Sequence, residues 1–367
     1  MESTLFLMIT EIHYPEMLAP EKLDEYLARG WFRMGMMIFT CHFLCFENEL
    51  YSAVWTRLPL EDYSFRKSLR KLLKKNSERF NVVTRPAQFD AEKEELYQKH
   101  KTRFEGYIAP SLTESLFGNT ERANIYNTWE TSIYDGGELV GASFFDLGSD
   151  SMASIMGLFN PDYEKYSLGF FTMLLEIQYG LGKNLQYYYP GYVVPGYERF
   201  DYKLRVGEVE YYQLRSKTWE SMDSLDSKDL PAELLIAKLW NAELELNKEG
   251  IPFRKFVYQL YDKKLFGFDE MDYFRAPLFL KLASQEDNPN KWLVLEYDYL
   301  NKSFKVSQVA KFNDPLMFIY DLFKEVDPDK SMLDFLFLEK VLFSELDIRV
   351  LMQRLKEEVP KFIAGKN

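Results

Sequence analysis

The sequence predicts an α/β (α+β) chain, and three observations carry that reading. Apolar runs at residues 128–134, 138–147 and 151–159 are joined by the turn sequences Asp135-Gly136-Gly137 and Gly148-Ser149-Asp150, a three-strand meander. An apolar helix at 167–181 follows, and then a strand at 185–189, which a helical crossover makes parallel to the third strand. A second mixture of helices and a hairpin fills residues 231–367, after a Ser- and Asp-rich stretch at 216–230.

Taken in order, Pro20 opens a short helix over 20–29 that Gly30 ends. Residues 34–46 are strongly apolar and predict one buried strand. The polar turn Glu47-Asn48-Glu49 leads to another strand at 50–58, stopped by Pro59. A basic helix is expected at about 63–76, a strand at 80–84, a helix at 90–104, and a short helix opened by Pro110-Ser111-Leu112. After the meander and its helix, Pro190-Gly191 is expected to stop the strand at 185–189, and residues 209–215 form the last strand of this series. Three antiparallel strands, a helix, a parallel strand and a last strand is the order of the GNAT-type acyltransferase fold. Beyond it, helices are expected at 231–247, 253–264, 315–326 and 332–357, with a hairpin of 292–299 and 303–309 around Asn301-Lys302. The expected organisation is an N-terminal subdomain at 1–85 carrying the basic helix, a GNAT-like domain at 86–215, a linker at 216–230, and an additional C-terminal α+β domain at 231–367 without a chemical motif.

A net charge of -12 argues against general coating of nucleic acid, so any RNA contact must be local, and no DNA partner is expected. One local patch exists. Arg66-Lys67-Ser68-Leu69-Arg70-Lys71-Leu72-Leu73-Lys74-Lys75-Asn76 places its cations around half of a helix and its leucines on the other side. The 30 Phe and 25 Tyr supply core and also stacking surfaces for nucleobases. No basic leader precedes the first apolar residues and no run of about 20 apolar residues occurs, so neither export nor a membrane partner is expected. The two cysteines exclude a disulfide framework and fit a reducing cytoplasm.

Common chemistries find little support. Cys41-His42-Phe43-Leu44-Cys45 lacks the further ligands of a closed zinc site, so no metal is expected. There is no Gly-x-Ser-x-Gly, no Walker loop and no Gly-x-Gly-x-x-Gly. The segment before the 167–181 helix, Asp162-Tyr163-Glu164-Lys165-Tyr166-Ser167-Leu168-Gly169, has one glycine and two acids, which makes a poor cradle for the pyrophosphate of coenzyme A. Tyr187-Tyr188-Tyr189-Pro190-Gly191-Tyr192 and Phe200-Asp201-Tyr202-Lys203 follow the parallel strand, where such folds place their substrate cleft.

Three ordered blocks across residues 25–210 resemble the arginyl-tRNA–protein transferase family, including its bacterial leucyl-transferring relatives. They are Gly30-Trp31-Phe32-Arg33-Met34-Gly35, the basic segment from Phe65 to Asn76, and Ser167-Leu168-Gly169 with Tyr189-Pro190-Gly191-Tyr192 and Tyr202-Lys203. Cys41 and Cys45 stand farther apart than that family's paired cysteines, and Pro190 stands where it usually has Leu or Met. The resemblance implies a GNAT-like fold that moves an amino acid, arginine or leucine, from charged tRNA to the N-terminal α-amine of a protein or peptide beginning with an acidic residue. Aminoacyl-tRNA is then the co-substrate and no cofactor is needed. Two other readings are an acyl-CoA-dependent N-acyltransferase and a catalytically silent tRNA- or peptide-binding module.

On this reading the acceptor amine attacks the ester directly. Tyr192, Asp201 and Tyr202 are candidates for proton transfer, amides around Leu168-Gly169 for the oxyanion, and Lys203 for an acidic side chain or terminal phosphate. Ser167, Leu168, Tyr189 and Gly191 are expected to line the cleft. Arg66, Lys67, Ser68, Arg70, Lys71, Lys74, Lys75 and Asn76 are expected to hold tRNA.

Overall fold

The computed structural model describes residues 10–104, 108–118, 124–262, 273–312 and 327–365, with the Phe46 side chain left aside. The chain divides into two compact units. One comprises Ile12–Thr40 and Ala53–Leu225; the other includes Cys41–Ser52 and the chain from Asp226. In chain order the elements are β1 (Thr10–His13), α1 (Pro20–Leu27), β2 (Phe32–Met34), β3 (Met37–Cys41), β4 (Phe43–Phe46), β5 (Glu49–Ser52), β6 (Val54–Pro59), α2 (Lys67–Arg79), β7 (Asn81–Pro86), α3 (Ala91–Lys101), α4 (Leu112–Phe117), β8 (Thr128–Asp135), β9 (Glu138–Leu147), β10 (Ser151–Phe159), α5 (Leu168–Gly182), β11 (Tyr187–Val193), β12 (Glu210–Gln213), β13 (Thr218–Ser221), α6 (Pro231–Lys248), β14 (Arg254–Tyr258), β15 (Leu278–Ser284), β16 (Lys291–Asp298), β17 (Ser303–Phe312), β18 (Ser331–Met332), β19 (Phe335–Glu345) and α7 (Ile348–Ile363).

The first unit is built on a sheet of order β13-β12-β6-β11-β10-β9-β8-β7. An interior strand, β9, is buried from Leu139 to Leu147, so its side chains feed cores on both faces. Phe145 and Val140 pack with α5 and with Leu69 and Leu73 of α2. Phe144 and Leu139 pack with Leu96 of α3 and Leu112 and Leu116 of α4. The meander, the α5 crossover and the parallel β10–β11 pair stand as the sequence predicts, giving the GNAT-like order.

Several boundaries differ. The single strand expected at 34–46 is three short ones, because Gly35 at φ +61° turns β2 back on β3 and a further break falls at His42. The strand expected at 50–58 is divided into β5 and β6. The subdomain boundary expected at residue 85 runs through the sheet, because β6 and β7 are two of its strands. Part of the expected linker is β13, held by pairing with β12. Pro190 and Gly191 do not stop β11, which continues to Val193 on β6.

The second unit carries a sheet of order β18-β14-β15-β16-β17-β19. Leu235, Leu239 and Leu246 of α6 and Leu351, Leu355 and Phe362 of α7 share its apolar core. The 292–309 hairpin is present, with Lys302 in its turn at φ +53°. The helix expected at 253–264 is instead β14, since Phe256, Val257 and Tyr258 are buried between two neighbouring strands; residues 263–264 lie outside the described ones. The helix expected at 332–357 begins as β19, paired along β17, and becomes α7 only where the Asp347 carboxylate accepts the Arg349 N–H at 2.9 Å. The helix expected at 315–326 lies outside the described residues.

Candidate active site

The site follows from where two strands part. β10 and β11 pair in parallel only through Ser151–Tyr187, Met152–Tyr188 and Ala153–Tyr189. Pro190 then has no N–H to give, and β11 shifts register against β6 between Tyr188 and Gly191. β10 has its own irregularity between Ser154 and Met156. From there β10 stays with β9 and β11 with β6, and a cleft of about 810 Å³ opens between them, lined by Ser154–Gly157 on one side and Pro190–Tyr192 on the other.

Lys203 reaches into this cleft from the 3-10 segment Glu198–Val206 and donates from Nζ to the Tyr192 carbonyl at 2.9 Å. Its ammonium also lies over the Tyr192 and Phe200 rings, at 5.1 and 5.2 Å. Burial pulls its pKa down to about 8. Gly191, at φ +95°, suits a backbone conformation that other residues rarely adopt, and a Cβ there would sit 3.2 Å from that Nζ and ask the lysine to shift slightly. Arg103, stacked on Phe159 at 4.3 Å, and Arg199, over Phe104 at 4.9 Å, add positive charge to the rim. Glu164 pairs with Arg103 at 3.3 Å. Much of the remaining wall is apolar, including Phe32, Met34, Phe39, Trp55, Met156 and Met173, with His100, Ser154, Ser167 and Thr172 among its polar members.

The N-terminus of α5 faces the same space. Ser167 sits in the left-handed region at φ +52° and makes no side-chain cap. Its carbonyl takes the Phe170 and Phe171 N–H groups at 3.0 and 2.9 Å, while the first-turn amides of Leu168 and Gly169 precede the ladder. Amides so placed can receive negative charge developing on a carbonyl oxygen.

Of the residues expected at the site, Tyr192, Tyr202, Lys203, Gly169, Ser167 and Gly191 line the cleft. Asp201 is exposed and does not line it. Leu168 and Tyr189 are core: Leu168, the first residue of α5, is buried in the cluster that α5 shares with the sheet and α2, and Tyr189 lies edge-on to Phe32 and Trp219. In the basic helix, Arg66, Lys67, Ser68, Arg70, Lys71, Lys74 and Lys75 are at the surface. Asn76 is not. At about 100° per residue it falls between Leu69, Leu72 and Leu73, and its Nδ2 donates to the Tyr166 carbonyl at 2.9 Å.

Two features escaped the sequence reading. Arg33, within the first family-like block, is buried against Asp146 at 3.0 Å, and also holds Thr128, the Leu116 carbonyl and the Gly35 carbonyl. It fixes the wall of the cleft. The other is Glu176, fully buried, whose carboxylate accepts from Tyr188 Oη at 2.8 Å. Its signal was available: it is the one charged residue of α5, and Gly169, Thr172, Met173 and Glu176 share a helix face whose first three members line the cleft. Cys41, by contrast, is inert, its thiol pushed up to about 12 by burial. Among the described residues no three His, Cys, Asp or Glu side chains gather as a metal site requires.

The family described as arginine-tRNA-protein transferase, C terminus, matches residues 92–213, the stretch that holds the meander, α5 and Lys203. An aspartate/glutamate leucyltransferase of Phenylobacterium zucineum is 34% identical over 186 residues, 48% of this chain and 70% of that protein. The chain belongs to this transferase family. Other relatives of the same name, from Leptospira interrogans serovar copenhageni and Vibrio cholerae, are 27% and 28% identical, covering 52% of this chain in each case and 74% and 80% of theirs. Among solved structures, a GCN5-related N-acetyltransferase from Kribbella flavida superimposes with a TM-score of 0.26 at 11% identity over 42% of this chain and 53% of that one, an overlap too slight to argue from. The chain is accordingly an aminoacyl-tRNA–protein transferase.

Proposed function

We propose that this enzyme moves leucine from charged tRNA to the α-amine of a protein or peptide that begins with Asp or Glu. The observation that carries the reading is the division of the cleft into an apolar wall and a cationic rim. The wall from Phe39 and Trp55 to Met156 and Met173 suits a leucyl side chain; an arginyl donor would call for acids there, and Glu164 is already engaged by Arg103. Lys203 and Arg199 suit the acceptor's carboxylate. The relatives' shared name, aspartate/glutamate leucyltransferase, supports the same pairing.

In the reaction the neutral amine attacks the ester carbonyl, whose oxygen is received by the Leu168 and Gly169 amides. Tyr192 and Tyr202 flank the meeting point. The exposed face of α2 holds the acceptor arm of tRNA through phosphates, which positions it without reading sequence. Among the described residues no helix is long and apolar enough to cross a membrane. With Cys41 kept as a buried thiol, we place the reaction in the cytoplasm.

The test uses labelled leucyl-tRNA and arginyl-tRNA with peptides beginning Asp, Glu or Lys, and with the acetylated Asp peptide. Leucine should pass to the Asp and Glu peptides alone. Arginine transfer in its place would overturn the donor assignment, and transfer from neither tRNA would overturn the reading as a whole.

A further inference from the structure

Glu176 is a carboxyl placed where none is needed for packing. It has no exposed surface, and its helix is otherwise apolar. The groups that face it are Ser143 from β9, Ser154 from β10, Tyr188 from β11 and Tyr202 from the 3-10 segment; none is a charged partner. Tyr188 satisfies one oxygen, while Oε1 and Ser143 Oγ make no hydrogen bond of good geometry, although the Ser143 and Ser154 hydroxyls stand close enough to favour the charged carboxylate in part. Desolvating a carboxylate without a cation is unfavourable, and burial accordingly raises its pKa to about 7. Two of the four facing residues, Ser154 and Tyr202, also line the cleft. The Ser154 hydroxyl lies beside both Glu176 and Tyr188.

We propose that Glu176 holds the proton released by the acceptor amine, receiving it through the Ser154 hydroxyl and returning it by the same route to the departing ribose. This rests on the aminoacyl transfer proposed above. The amine's lone pair forms the C–N bond to the ester carbonyl carbon, and the ester C–O bond to the ribose breaks. The ammonium proton passes to Ser154 Oγ as that hydroxyl's own proton passes to the Glu176 carboxylate. The reverse relay hands a proton to the ribose oxygen, and Glu176 ends ionised as it began. Because it works through Ser154, Glu176 positions the proton and does not itself touch substrate. Its burial serves the task, since a carboxyl near neutrality can both take and give.

The experiment measures kcat and KM against pH for wild type, Glu176→Gln, Glu176→Asp and Ser154→Ala, with leucyl-tRNA and an Asp-initiated peptide. Wild-type kcat should rise through a limb near pH 7. The acceptor amine contributes its own limb near about 8, and that one should persist in every variant. Glu176→Gln should lose the limb near 7, with kcat lower by about 100-fold or more and with KM for tRNA unchanged, while Glu176→Asp restores part of the rate. A Gln variant within threefold of wild type, keeping the limb, or a loss confined to KM, would overturn the proposal. If circular dichroism shows that the Gln variant does not fold, Ser154→Ala decides by the same readout. Full transfer by wild type with an unaltered variant sinks this inference alone; no transfer by wild type sinks the proposed reaction and this with it.

Discussion

Replacing Lys67, Lys71 and Lys74 together by alanine isolates the charge of α2 from its packing. These three positions lie within about 60° on the helix, directly opposite Leu69 and Leu73, which anchor it. All three are exposed, and the Glu78 carboxylate reaches Lys74 only at 3.8 Å. Alanine is the best helix former, so the fold should be untouched. If each lysine neutralises one phosphate, each loss removes about 0.7–0.9 from the slope of log K against log salt. Three losses lower the slope by about 2–3, which at ~0.15 M salt corresponds to binding weaker by about 50- to 170-fold. Near ~1 M salt the two proteins should converge. Filter binding of leucyl-tRNA across a salt series reads both quantities, and a thermal melt reads the fold. Unchanged affinity and slope in a protein that melts like wild type would refute the assignment of this helix to tRNA.

Three other outcomes can be checked. Asn76→Ala should lower stability by about 1–3 kcal/mol in urea titration, because it strips a buried donor from the Tyr166 carbonyl, and should leave the salt slope of tRNA binding alone. Lys203 has its folded pKa depressed to about 8 from 10.5: the unfolded chain binds the extra proton between those values, so this lysine's burial penalty is fully present below about 8 and fades as pH rises to about 10.5. Through the same titration, KM for an Asp-initiated peptide should climb above pH 8, and in Lys203→Met it should be high and flat; a parallel climb in that variant would exclude Lys203 as the carboxylate's partner. Arg33→Met, which leaves the buried Asp146 carboxylate without its cation and with only the Thr128 hydroxyl as partner, should cost about 3–5 kcal/mol by denaturant titration; a loss under ~1 kcal/mol would show that the pair does not brace the cleft.

The meander, α5 and the parallel strand were legible because their signals are local: alternation, a Gly-Gly turn and a long apolar helix. β14 and β19 were not. Both sit in apolar stretches that satisfy a helical period as well, and only pairing with β15, β18 and β17 decides between the two. The basic helix was readable from spacing, apart from Asn76, whose angle between the leucines placed it in the core while its residue type suggested the surface. Tyr192 and Lys203 were expected at the cleft because their segments follow the parallel strand, and both line it. Glu176 was passed over because an apolar helix invites no search for chemistry, although a single acid in such a helix is itself the signal. Leu168 and Tyr189 were expected at the cleft with their neighbours but turn into the core, since adjacent residues on a helix or strand look in different directions.

The parting of β10 from β11 has a consequence for breadth. Past Ala153 and Tyr189 each strand keeps its outer neighbour, and the two inner edges are no longer bonded to one another. Main-chain groups along such edges grip an extended polypeptide by what all polypeptides share. An acceptor laid along these edges in the proposed reaction would be held by its main chain, and only its first side chain would meet Lys203 and Arg199.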